Sequence, residues 1–423
     1  MTHPAELSAT DAASRIAAGT LKAQELAEAM LDVIARREPG VRAFAHLDPA
    51  LVRRQAAAVD AAPAKGKLAG LFFGVKDVLD TADQPSQYGS PIWAGHRPRT
   101  DASCVALARR AGAVIAGKTV TTEFATRFPG ATTNPHNARH TPGGSSQGSA
   151  AGVGAGMLHL AFGTQTAGSI IRPAAFCGAV GFKPSYGTLH RAGMKVMSES
   201  LDTIGVMARS VADAARAMSA LTGLDHGPAE APRAPKLALV MGAMAEAGPE
   251  TAPHMERVAE AARRAGATVT PITLPAACDA AFAAHAHVMH MESAQALAWE
   301  IDHARAQLSP AMRTNMDWAM AEPPAKLVEA RAAFAAAQAC FADAIAGYDA
   351  VLTPSAPGEA PEGIEFTGTP VFNTLWTLLH TPCVTIPAGT GPRGLPLGAQ
   401  IVTPRGQDAA ALMWAEWLRR ALG

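Results

Sequence analysis

Apolar positions along this chain alternate between helical stripes and short unbroken runs, and the two patterns trade places repeatedly from end to end. Residues 5–61 carry the helical pattern. Leu26, Met30 and Ile34 share one face, Ser8 or Thr10 can cap a first helix, and Thr20 can cap a longer one through about Arg37. Asp48-Pro49, an N-cap residue followed by proline, starts a third helix, and Pro39-Gly40 and Pro63 to Gly66 punctuate the segment. Gly70 to Val75 then reads as a buried strand with Lys76 at its end, and 101–118 reads as helix followed by strand. Ala150 to Met157 is small and helix-compatible, and Leu158 to Phe162 is a short apolar run suited to another buried strand. Asp202-Thr203-Ile204-Gly205 predicts a turn, and Ser210 caps a helix through Leu221. A Pro-rich polar stretch, 226–235, predicts a linker or long surface loop. After it come strand (Lys236 to Met241), helix (about 251–265) and strand (Ala267 to Leu274). Residues 275–346 are alanine-rich and helical, with breaks near Ser309-Pro310 and Pro323-Pro324. The end alternates strands (AVLTP, CVTIPA, LGAQIV) with a surface loop over Pro357 to Gly368, a Phe/Trp/Leu segment at 371–379 and a final helix from about 407 to 421. Strands alternating with helices predict an α/β domain with a mixed, mostly parallel central sheet covered by helices on both faces.

Composition narrows the functional classes. The 423 residues suffice for a large core, with 48% hydrophobic and 17% charged positions. Lys+Arg and Asp+Glu both number 36, so no basic field points to nucleic acid or a membrane surface. Five cysteines without a C-x-x-C pair argue for reduced thiols. The start, MTHPAELSATDAAS, lacks the basic and apolar regions of a secretory signal, and no run reaches the ~20 apolar residues of a membrane span. The expectation is a cytoplasmic protein.

The richest stretch is 142–187. It carries two serine-bearing turns, Gly143-Gly144-Ser145-Ser146-Gln147-Gly148-Ser149 and Thr166-Ala167-Gly168-Ser169-Ile170-Ile171-Arg172-Pro173, each rich in small residues that permit tight turns. Three other patterns are decoys. Gly112 to Thr119 matches G-x-x-x-x-G-K-[ST], but its middle residues Ala, Val, Ile and Ala read as a strand, not a phosphate-cradling loop. Gly144-Ser145-Ser146-Gln147-Gly148 matches G-x-S-x-G, but His140 to Gly143 before it is no strand. His285, His287 and His290 with Glu292 lack the H-E-x-x-H geometry of a metal site and read as structural or pocket-lining side chains.

Together with Gly74-Val75-Lys76-Asp77 upstream and Cys177-Gly178 to Ser185 downstream, the two serine turns resemble the signature of the amidase signature hydrolases, in order and at family-like spacing. The resemblance implies one domain over 1–423, comprising an N-terminal helical segment (1–61), a catalytic core (62–225) and the remaining sheet and pocket-shaping helices (226–423). It also implies a histidine-free proton relay in which Lys76 takes a proton from Ser145, Ser145 takes one from Ser169, and Ser169 attacks the carbonyl carbon. In the family Ser145's counterpart follows a cis peptide. A serine nucleophile needs an adjacent base, and lysine serves only when neutral, which burial promotes. The turn Thr166, Ala167, Gly168 and Ser169 would form the oxyanion hole, with Gly144 and Arg172 toward the substrate. Neither metal nor organic cofactor is implied.

Four departures stand out. Gln147 replaces a usual glycine, Gln165 a frequent aspartate, and Ala167 the first glycine of G-G-S, while Arg172 lies three residues after Ser169 instead of two. The last resembles the malonamidase-like branch, where the arginine faces the substrate. The implied activity is hydrolysis of a small carboxamide C–N bond, with no nucleic-acid or membrane partner and a homodimer left open. The alternatives are a carbamate or ester hydrolase on the same site, an amidotransferase A-type subunit, and a non-catalytic binding protein.

Overall fold

The most continuous apolar runs form interior strands near one edge of a sheet that has eleven strands among the described residues. A computed structural model describes residues 3–227 and 230–423; Pro228 and Ala229, inside the predicted linker 226–235, lie outside the described residues, as do Met1 and Thr2. The strands, in chain order, are β1 (Phe44–Leu47), β2 (Phe72–Lys76), β3 (Val114–Thr119), β4 (Leu160–Gln165), β5 (Val180–Lys183), β6 (Thr203–Ala208), β7 (Lys236–Leu239), β8 (Thr268–Pro271), β9 (Ala350–Pro354), β10 (Cys383–Thr390) and β11 (Pro396–Val402). They lie side by side as β1-β3-β2-β4-β6-β5-β10-β11-β9-β7-β8.

This is the expected α/β architecture with a mixed sheet, but parallel pairing is confined to two blocks, β3-β2-β4 and β9-β7-β8. The junctions between and outside them are antiparallel. β2, β3 and β4 are buried along their whole length, which explains their unbroken apolar character. Phe73 and Phe162 stack across β2 and β4 with ring centroids 4.3 Å apart, and burying each such side chain stabilises by about 1.5–3 kcal/mol.

Capping residues set several helix starts. Ser8 Oγ accepts from Asp11 N–H ahead of Ala9–Ala17, Asp48 from Ala50 and Leu51 ahead of Pro49–Ala61, and Ser210 from Asp213 ahead of Val211–Thr222. The second helix, Ala23–Val41, starts after Lys22 and not at Thr20. Thr20 instead turns its hydroxyl back to the Arg15 carbonyl, and Glu25 reaches the Lys22 N–H. Pro39 falls in that helix's last turn without ending it; Arg42, in the left-handed region, does. β1 lies inside the stretch expected to be wholly helical.

The turn expected at Asp202 to Gly205 is also different. Thr203 to Ala208 form β6, buried between β4 and β5. The β-branched Thr203, Ile204 and Val206 suit a strand, while Asp202 closes the preceding loop by accepting from the N–H groups of Met197 and Ser198. The rejected phosphate-loop match is β3 itself. Its Lys118 is buried, 3.0 Å from the Asp77 carboxylate, and donates to the Leu79 carbonyl. No helix among the described residues is long and apolar enough to cross a membrane.

Candidate active site

β2 and β4 are parallel neighbours with Val75 opposite Phe162, so Lys76 leaves the sheet beside Thr164. Lys76 is fully buried. Its Nζ lies 2.7 Å from Ser145 Oγ, 2.8 Å from Thr164 Oγ1 and 3.3 Å from the Thr164 carbonyl. Burial disfavours the ammonium and brings the lysine down to about 7, with the Asp202 carboxylate pulling weakly the other way. These three neighbours accommodate both forms of the amine. An ammonium can donate to all three oxygens. A neutral amine must still donate to the carbonyl, and its lone pair can then accept from a hydroxyl.

Ser145 sits on the loop that enters the helix Gln147–Gly154. The Gly144–Ser145 peptide is cis. Gly143 has φ +82, and a Cβ there would lie 2.8 Å from Pro173 Cα, so this position suits only glycine. Ser146, the serine of the G-x-S-x-G match, is tied to β4 through the N–H and carbonyl of Thr164, each 3.3 Å away, and is fully buried. The unusual Gln147 turns sideways, its Oε1 accepting from the Gly130 N–H at 2.8 Å.

Ser169 lies on the turn between β4 and the short helix Ile171–Phe176. With Thr166, Ala167 and Gly168 it lines a cavity of about 390 Å³. Lys76 and Ser145 are not among the lining residues, so the cavity reaches Ser169 and not Ser145. Among the described residues, the N–H groups of Ala167, Gly168 and Ser169 have no acceptor within the protein. Gln165 explains how the turn is held without the usual aspartate. Its Oε1 accepts from the N–H groups of Ile170 (2.8 Å) and Ile171 (3.0 Å), and its Nε2 donates to Thr377 Oγ1 at 2.9 Å. Thr166 Oγ1 donates to the Asp202 carboxylate at 2.6 Å. Burial pushes that carboxyl upward, and hydrogen bonds from Thr166, Met197 and Ser198 oppose the shift.

Arg172 lines the cavity and also braces the serine loop. Its Nη2 donates to the Gly144 carbonyl at 2.6 Å, while Nε and Nη1 are buried without a partner among the described residues. Burial, then the nearby Arg127, brings the guanidinium down to about 9. Gly144 itself is not in the lining: its carbonyl is occupied by Arg172, and a Cβ there would lie 2.8 Å from Thr367 Cγ2. The Pro357 to Gly368 loop reaches the site through Phe366, Thr367 and Gly368. The four residues weighed as a metal cluster do not converge. His285 bonds the Thr166 carbonyl, Glu292 holds Ser198, Ser200 and Arg331, His287 lies near Glu322, and His290 packs on Trp318.

Several site residues carried no signal in the sequence. Arg127 lines the cavity from a loop and Glu246 from the short 3-10 helix Met244–Glu246, both without a motif, and Thr164 and Thr377 are threonines in ordinary apolar contexts. Asp202 could have been found only as the residue ahead of a strand instead of inside a turn.

The family model described as Amidase matches residues 25–412. The A-type subunit of glutamyl-tRNA(Gln) amidotransferase from Roseiflexus castenholzii is 43% identical over 235 residues, covering 53% of this chain and 48% of that protein. The chain thus spans about half the length of the curated relatives it matches. Solved structures match nearly end to end, among them a crystal structure of an amidase (27% identity, TM-score 0.90, 99% of this chain and 100% of that one) and native peptide amidase from Stenotrophomonas maltophilia (28%, TM-score 0.80, 98% and 97%). With the family model spanning residues 25–412, most of its length, this chain belongs to the amidase family.

Proposed function

We propose that the chain hydrolyses a small carboxamide through an acyl-enzyme on Ser169, with Ser145 and Lys76 as the proton relay. The 2.7 Å contact between Lys76 Nζ and Ser145 Oγ carries this reading, because the lysine is buried and brought to about 7, where an amine can accept a proton. Ser169 Oγ adds to the carbonyl carbon as its proton passes to Ser145 and Ser145's proton to Lys76. Collapse of the tetrahedral adduct breaks the C–N bond, and the relay run backwards protonates the leaving amine. Water then cleaves the ester, returning the carboxylic acid and the free serine. The N–H groups of the Ala167 to Ser169 turn stabilise the oxyanion.

Arg127 and Arg172 face the same cavity, with Glu246 as the acid in its lining. This favours an acyl group carrying a carboxylate or another polar acceptor near the scissile carbonyl, since a guanidinium fork binds such groups directionally. The cavity suits a small-molecule substrate. A fluorophosphonate probe tests the core of the proposal: it should label the wild type and leave a folded Ser169→Ala variant unlabelled. Labelling that instead disappears with Ser146→Ala would reassign the nucleophile.

A second reading is supported by the sequence relatives named as A-type subunits of glutamyl-tRNA(Gln) amidotransferase. It supposes the same acyl chemistry, with the released ammonia delivered to a partner protein. Co-purification of a stable second chain, together with weak free hydrolysis, would favour it over the main proposal. Turnover of a matched amide, urethane and ester would distinguish amide hydrolysis from the carbamate and ester alternatives.

A further inference from the structure

The oxyanion turn is held from its carbonyl side by two residues outside the signature. His285, on the helix Ala276–Ala296, places Nε2 3.0 Å from the Thr166 carbonyl. Thr377, on the short helix Thr374–Leu378, donates Oγ1–H to the Ala167 carbonyl at 2.7 Å, with the Asn373 carbonyl farther off at 3.2 Å. A carbonyl only accepts, so His285 carries its proton on Nε2. Burial brings this histidine down to about 4, so it remains a neutral imidazole at ordinary pH.

These bonds fix the direction of two peptide planes. In a trans peptide the C=O of one residue and the N–H of the next point in opposite directions. Among the described residues the cis bond is Gly144–Ser145, so the Thr166–Ala167 and Ala167–Gly168 peptides are trans. Pinning the Thr166 carbonyl to His285 turns the Ala167 N–H to the opposite side of the turn. Pinning the Ala167 carbonyl to Thr377 does the same for the Gly168 N–H. Both N–H groups are without an acceptor among the described residues. Gly168 also has no room for a side chain, because a Cβ there would lie 2.6 Å from Asn373 Oδ1.

We propose that His285 and Thr377 are positioning residues that aim the Ala167 and Gly168 N–H groups at the oxyanion by holding the carbonyls on the far side of the same peptides. Neither residue needs to touch the reacting atoms. Their contribution is preorganisation: donors already directed at the developing charge need no rearrangement in the transition state. The two anchors are also linked, because Thr377 Oγ1 accepts from Gln165 Nε2 while Gln165 caps the helix that follows Ser169. This rests on the Ser169 acyl-enzyme proposed above.

The experiment measures the second-order rate of labelling by a fluorophosphonate, whose phosphoryl oxygen develops charge in the same hole. Two variants remove a donor, His285→Met and Thr377→Val. Two retain one, His285→Gln and Thr377→Ser. Circular dichroism and thermal unfolding establish that each is folded. The donor-lacking variants should label about 10- to 100-fold more slowly, below the loss from deleting an oxyanion donor outright because the N–H groups remain but wander. The donor-retaining variants should recover to within about threefold of wild type. If His285→Met does not fold, the nearly isosteric Thr377→Val decides alone. Wild-type rates in the donor-lacking variants, in an enzyme whose labelling Ser169→Ala abolishes, would overturn the positioning role and leave the nucleophile intact. Equal losses in donor-lacking and donor-retaining variants would overturn it too, as a general packing defect. Persistent labelling of Ser169→Ala would overturn both proposals.

Discussion

Replacing Lys76 by methionine should erase two pH dependences at once, one in catalysis and one in stability. The side chain is fully buried and titrates near 7 instead of its ordinary 10.5. That gap corresponds to about 5 kcal/mol for keeping the ammonium inside the folded chain. At pH 5 only about 1% of the lysine is neutral, at pH 7 about half, and at pH 9 nearly all. If the neutral amine is the base, wild-type kcat should climb about 100-fold from pH 5 to pH 9 and flatten above about 8. Stability should move in the same direction. The unfolded chain keeps this proton up to 10.5 while the folded chain releases it near 7, so unfolded molecules bind more protons between those values and stability rises with pH across that window. Below 7 both states are protonated and the whole cost is present. Between pH 6 and pH 9 the wild type should therefore gain about 3 kcal/mol relative to Lys76→Met. Urea unfolding at the two pH values measures this, and comparing the two proteins cancels the other buried lysines, Lys118 and Lys183, which titrate in both. Methionine matches the stem and removes the amine, so the variant should fold while losing activity by orders of magnitude. A flat kcat profile with chemistry rate-limiting, joined to identical stability slopes in the two proteins, would refute a neutral buried lysine base.

Arg172→Lys should raise KM for acidic amides at least about 10-fold more than for neutral ones, since a lysine cannot reproduce the fork; equal losses across substrates, with lowered stability, would leave Arg172 only its bond to the Gly144 carbonyl. Gln165→Leu should destabilise by about 2–4 kcal/mol in urea unfolding, because it strands the buried N–H groups of Ile170 and Ile171. Gln165→Asp, which keeps an acceptor but loses the bond to Thr377, should cost only about 1 kcal/mol, and a cost as large as leucine's would contradict the capping role.

The sequence alone determined what depends on neighbours in the chain. β2, β3 and β4 were readable because strands buried on both faces need unbroken apolar residues. Ser8, Asp48 and Ser210 announced their helices because capping is satisfied within three residues. Lys76, Ser145 and Ser169 were legible only as a set, through the resemblance of Gly74 to Asp77 and the two serine turns to the amidase signature. What required the fold was everything set by segments distant in the chain. Whether Thr203 to Ala208 formed a turn or a strand depended on a slot between β4 and β5, which no local residue specifies. The prevalence of antiparallel junctions depended on which strands became neighbours. Lys76 is an ordinary lysine until Thr164 and Ser145 enclose it, because its proton affinity is a property of the surrounding dielectric and not of the residue. His285 read only as a structural or pocket-lining histidine and Thr377 gave no sign of a role, since a hydrogen bond to a backbone carbonyl more than a hundred residues away selects a donor at one point in space and leaves no motif around it.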